Sequence, residues 1–156
     1  MKDRDYLEKV LLGKLMCNTK DYYDNHSLLN IDLFKSVEHK NLYIILDKSL
    51  QEHGKCDMTE FYNKSKNKYD AISLAQECNE KAYDPYIVKN LILVLLENNK
   101  MEQLEKLVLS MEKKIRGKDE LFTIIAYAES ELQKIGNVTN NKLTHISEQM
   151  PEMVRS

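Results

Sequence analysis

Few residues of this chain are of types that support catalysis, and they do not form a recognisable set. His39 is the strongest candidate for a general base, with Glu38 beside it. General-base catalysis also needs a nucleophile and an orienting group within hydrogen-bond reach, and no familiar spacing supplies them. A lone histidine near a helix start is typically a structural hydrogen-bonding group. Asp57 is likewise typical of a helix cap, because its oxygens accept the free amide hydrogens of a first turn.

Sequence motifs for nucleotide, metal and acyl chemistry are missing. The chain has no GxxxxGK[ST] loop to hold phosphates, and 116–119 contains only a single glycine in a turn. None of the four histidines has the HxxxH or HxxE spacing of a metal site. No serine lies in a GxSxG sequence. We therefore predict that this chain is not an enzyme and binds no cofactor or metal.

The composition predicts one all-α domain. The chain has 156 residues with only four glycines and two prolines, which favours long helices over a turn-rich β fold. Its formal charge is −2, and acidic residues are interspersed among the lysines. Tight DNA binding requires clustered Lys and Arg, so we expect none from this chain alone.

The cysteines and apolar segments indicate a cytoplasmic protein. Cys17, Cys56 and Cys78 are widely spaced and form no CxxC pair, so we predict free thiols rather than disulfides or a zinc site. The first residues mix acids with bases and do not form a secretory signal. The longest apolar run, 91–96, is too short to cross a bilayer. We expect no contact with a membrane.

Helical periodicity dominates the first half of the chain. Apolar residues near i, i+3, i+4 spacing predict a helix at about 4–17, and Gly13 within it indicates close packing against another helix. A short helix is predicted at 21–29. Ser36 is predicted to cap a third helix, which Gly54 ends.

Two shorter helices are predicted next, separated by a polar loop. Asp57 or Thr59 is expected to cap the first, which carries Phe61. Residues 63–68 are polar and aperiodic, which indicates a loop. Asp70 is then expected to cap the second short helix.

The second half of the chain predicts a long helical hairpin. Asp84-Pro85 has the pattern of an N-cap followed by proline at the first helical position. Nothing interrupts the helical pattern from there to about Lys114. A tight connection at 116–118 leads to a further helix, capped by Asp119. Two long helices joined by so few residues must run antiparallel.

These elements divide the chain into three predicted parts: a globular helical subdomain at 1–83, the hairpin at 84–135, and a linker at 136–156. The glycine and asparagine content of 136–141 is typical of a linker.

The apolar stripes of the hairpin exceed what two helices can bury between themselves. We therefore predict that part of the hairpin surface contacts a partner, and that the hairpin mediates self-association. The predicted interface residues are Leu104, Val108, Met111, Ile115, Leu121, Phe122, Ile124, Ile125 and Ala128. Tyr127 lies beside the predicted contact between the two hairpin helices and is also expected to lack cover within the chain.

The segment 34–43 carries a family resemblance. Phe34 precedes His39 by five residues and Tyr43 follows it by four, at the opening of a long apolar helix. A glycine-bearing apolar helix lies upstream and Gly54-Lys55-Cys56-Asp57 lies downstream. This order, over roughly residues 5–135, resembles the amino-terminal domain of DnaB-type replicative DNA helicases.

The resemblance implies a fold and a function. The fold would be a compact all-α domain with a C-terminal antiparallel helical hairpin. The domain would be the helicase's non-catalytic collar, pairing through the hairpin into dimers and, in the full-length parent, a hexamer. It would dock a primase or a helicase loader. The parent would be an ATP-dependent helicase, with ATP and Mg in a RecA-like motor domain beyond the 136–156 linker, a domain that this chain does not contain.

Two other interpretations remain open at the level of sequence. The first is the helicase-binding C-terminal domain of a DnaG-type primase, whose helical fold is related. The second is a free-standing helical adaptor with no motor attached. A P-loop domain encoded after Ser156 would identify the helicase.

Overall fold

The computed structural model describes residues 3–64 and 68–149, and every regular element within these ranges is helical. This confirms the all-α prediction. Residues 65–67 of the predicted loop and 150–156 of the predicted linker lie outside the described ranges. Two compact units divide the chain, Met1–Leu95 and Leu96–Ser156, and we call them the first and second unit. The α-helices are α1 (Arg4–Cys17), α2 (Thr19–Asp24), α3 (Val37–His53), α4 (Met58–Lys64), α5 (Lys68–Glu80), α6 (Val88–Arg116) and α7 (Leu121–Gln149).

Short polar side chains set the ends of the helices in the first unit. Asp3 caps α1, its carboxylate accepting the Tyr6 amide at 2.8 Å. Ser36 caps α3 by accepting the His39 amide at 3.4 Å. Gly54 ends α3 in the left-handed conformation, with φ of 69°, where a residue without Cβ is least strained. The predicted bounds of α1 and both predicted ends of α3 are confirmed.

Gly13 allows α1 and α5 to touch backbone to backbone. A Cβ built at Gly13 would lie 1.9 Å from the carbonyl oxygen of Cys78 and 2.7 Å from the carbonyl carbon. No side chain of any size fits at that distance. The predicted close packing of Gly13 is therefore confirmed, and its neighbour is α5. Around this contact lies a core of fully buried leucines and aromatics that includes Leu11, Leu12, Leu15, Tyr22, Phe34, Phe61 and Leu91.

The predicted start of the long helix at Asp84-Pro85 is wrong. A 3-10 turn occupies Lys81–Tyr83, and α6 begins at Val88. Asp84 is instead drawn toward α1, because its carboxylate accepts a hydrogen bond from the Tyr6 hydroxyl and its carbonyl accepts one from Lys14 Nζ. These bonds join residues that are distant in the sequence, and they hold Asp84 before the helix rather than at its cap.

Other predicted boundaries also differ from the structure. Asp70 lies inside the first turn of α5 rather than capping it, and α7 begins at Leu121, so Asp119 is not its cap. The second helix runs from Thr19 to Asp24 rather than over 21–29, because Asn18 caps it and its side chain accepts the Lys20 amide at 3.1 Å. Helix α7 continues to Gln149 through 136–141, where a linker was expected. One glycine costs a helix only about 1 kcal/mol against alanine, which is too little to end a long helix. The role of 136–156 as a connection to another domain stays a prediction.

The end of α6 places a lysine where glycine is usual. The Lys118 amide donates to the Ile115 carbonyl and the Asp119 amide to the Lys114 carbonyl, each at 3.1 Å, the pair of bonds that closes a Schellman motif. Lys118 itself has φ of 59°, although Gly117 precedes it. A residue with a Cβ is strained in this left-handed conformation.

We expect Lys118→Gly to raise the free energy of unfolding by about 1 kcal/mol, because glycine relieves the strain at positive φ. Urea denaturation followed by circular dichroism measures it. The matched control is Lys113→Gly, inside α6, which should lower the free energy by about 1 kcal/mol. If both variants lose the same free energy of unfolding, Lys118 is not strained.

No helix in the described part of the chain combines the length and the apolar character that a bilayer-spanning helix requires.

Candidate functional site

His39 lies in a buried polar cluster at the junction of α1 and α3. Its Nδ1 is 2.9 Å from Glu8 Oε1, and both side chains are almost fully buried. Arg4 Nε donates to Glu8 Oε2 at 2.9 Å, and the amide of Lys35 donates to both carboxylate oxygens at 3.1 Å. Every oxygen of Glu8 is therefore bonded. His39 serves as a structural hydrogen-bonding group, as its sequence position predicted.

The surroundings of Glu8 keep it ionised despite its burial. Burial acts to raise the pKa of this carboxyl, but the hydrogen bonds from His39, the Lys35 amide and Arg4 outweigh burial and hold the pKa below its ordinary value of 4.5. A carboxylate with no vacant acceptor site is a poor general base. The cluster therefore connects the start of α1 to the start of α3.

Two of the cysteines in the first unit, Cys17 and Cys78, have raised pKa values that disfavour the nucleophilic thiolate. Burial raises the pKa of the Cys78 thiol to about 12, so almost none of it is thiolate at neutral pH. Burial also raises the pKa of Cys17, whose Sγ donates to Asn79 Oδ1 at 2.7 Å. Among the side chains that the structure describes, no three His, Cys, Asp or Glu residues are grouped as metal ligands would be.

In the second unit, α6 and α7 contact each other through a defined seam. Residues 117–120 join the helices, Ser110 Oγ lies 3.0 Å from the Tyr127 hydroxyl, and Lys114 Nζ lies 4.6 Å above the centre of the Tyr127 ring. Leu107 is buried on α6. The buried residues of α7 recur at helical spacing: Ile124, Ala128 and Ile135.

The predicted interface residues separate into two groups. Six remain exposed, most strongly Phe122 at 76%, Leu121 at 63% and Ile115 at 60% of their maximum accessible surface. Large apolar side chains with that much exposure are unusual when they share one face. We call these six residues the apolar face: Leu104, Val108, Ile115, Leu121, Phe122 and Ile125.

The other predicted interface residues belong to the seam. Ile124 and Ala128 are buried, Met111 is half-buried, and Tyr127 is covered by Ser110 and Lys114. The expectation that Ile124 and Tyr127 lack cover within the chain is therefore wrong. Apolar periodicity did not identify the buried face of α6, which begins at Leu107, because two residues of that face, Ser110 and Lys114, are polar.

Sequence reasoning also missed exposed apolar residues. Leu109 on α6 and Leu132 on α7 are both more than 45% exposed, and neither was in the predicted interface. Leu132 follows Leu121 by eleven residues and Ile125 by seven, so helical spacing was the signal that identifies it.

Neither a comparison with protein-family models nor one with curated protein sequences gives a match to this chain.

Proposed function

We propose that this chain is a non-catalytic assembly and docking module that associates with a second copy of itself through the apolar face. The observation that carries the proposal is the exposure of Leu121, Phe122 and Ile115 beside a seam that is already complete. Because Ile124, Ala128 and Leu107 already fill the contact between α6 and α7, the exposed side chains are available to a partner.

Helical geometry brings the exposed residues of both helices to one side. At 100° per residue, the exposed row of each helix lies about 90° clockwise from its buried row, viewed from that helix's N-terminus. Helices joined by the four residues 117–120, with Ser110 contacting Tyr127, run in opposite directions. Because the two helices run in opposite directions, the same clockwise offset in each places both exposed rows on the same side of the helix pair. The apolar face is thus a single surface.

A second copy of the pair is the occupant that fits this surface best. Two antiparallel pairs that stack apolar face on apolar face form a four-helix bundle. A two-fold axis makes such an interface self-complementary, so each apolar side chain meets an apolar neighbour without any new surface feature.

We expect the double substitution Phe122→Asp and Ile125→Asp to convert the assembled chain to a monomer. Two carboxylates in an apolar interface would lose hydration without gaining partners, at a cost of several kcal/mol. Sedimentation velocity over a concentration series measures the change, and circular dichroism verifies that helicity is kept.

The matched control is Val37→Asp with Ile87→Asp, which changes two exposed apolar residues of the first unit. The control should sediment as the wild type does. A wild-type chain that stays monomeric at high concentration, or a control that dissociates equally, would contradict self-association through the apolar face.

The finer proposal is that this module is the collar domain of a replicative helicase, recruiting a primase or helicase loader. Its support is the resemblance over 34–43, together with the order of a helical body followed by two long helices. Phe34 and Tyr43, the aromatics of that segment, have ring centroids 5.1 Å apart.

We expect a pull-down from the native host, with residues 1–156 as bait, to recover a primase or helicase loader. A collar carries no chemistry, so its contribution is to hold protomers together and to position enzymes at a fork. Mass spectrometry identifies the captured proteins, and bait denatured before coupling is the control. Capture of only metabolic enzymes or membrane proteins would exclude the replication role.

A further inference from the structure

We draw no further inference here: the strongest candidate, the surface patch of exposed side chains that Tyr83, Tyr86 and Ile87 present on the segment just before α6, carries no proposal because nothing in the described part of the structure shows what covers it.

Discussion

Replacing Gly13 with alanine should lower the free energy of unfolding by about 3 kcal/mol, toward the upper end of what overpacking costs a core. The new methyl carbon would lie 1.9 Å from the Cys78 carbonyl oxygen, which belongs to a helix backbone and cannot rotate aside. Helices α1 and α5 must therefore separate, which loosens the core around them. The better helix propensity of alanine raises the free energy of unfolding by only about 1 kcal/mol. Urea denaturation followed by circular dichroism measures the loss.

Gly136 provides the matched control for Gly13. It also lies within a helix, but nothing approaches within 4 Å of a Cβ built at this position. Gly136→Ala should therefore raise the free energy of unfolding by about 0.5–1 kcal/mol. If the two alanine variants are equally stable, α1 and α5 do not meet through Gly13.

Replacing Glu8 with glutamine should lower the free energy of unfolding by about 3 kcal/mol at neutral pH, which is typical when one partner of a buried ionic group is removed. Arg4 would lose its carboxylate partner, and His39 Nδ1 and the Lys35 amide would compete for one neutral oxygen. Denaturation at pH 7 measures the effect. Glu120→Gln, at an exposed position, is the control and should be nearly neutral.

The contribution of Glu8 to the free energy of unfolding should also depend on pH, and it should decrease in acid. The folded-state pKa of Glu8 is below its ordinary value of 4.5. Such a group stabilises the fold above the unfolded-state pKa, and the contribution is lost as pH falls through the folded-state pKa. The groups facing it are the Arg4 guanidinium and the titratable ring of His39, with Asp5 3.7 Å from His39 Nε2. The stability difference between wild type and Glu8→Gln should therefore shrink below pH 4.5, and a constant difference would contradict this role.

Features of the fold that depend on local chemistry could be predicted from the sequence. Ser36 and Gly54 set the ends of α3 through bonds within one turn, and helical periodicity located α1. Gly13 indicated a close helix contact because glycine is costly inside a helix and needs a compensating reason. The neighbour across that contact, Cys78, is distant in the sequence and left no local signal.

Features that depend on long-range contacts could not be predicted. Asp84 has the local pattern of a helix cap, but Tyr6 and Lys14 bind it from α1. The buried face of α6 was misassigned because two of its members, Ser110 and Lys114, are polar and find their partner in Tyr127.

The central claim, that copies of this chain meet at the apolar face, is tested most directly by hydroxyl-radical footprinting of the wild-type chain at low and high concentration. Association should protect Leu104, Leu121 and Phe122 as concentration rises, while Tyr83, 90% exposed in the first unit, keeps its reactivity. Protection that begins at the concentration where sedimentation detects dimers is the predicted result. Association that leaves Phe122 fully reactive, or that protects Tyr83 instead, would contradict the claim.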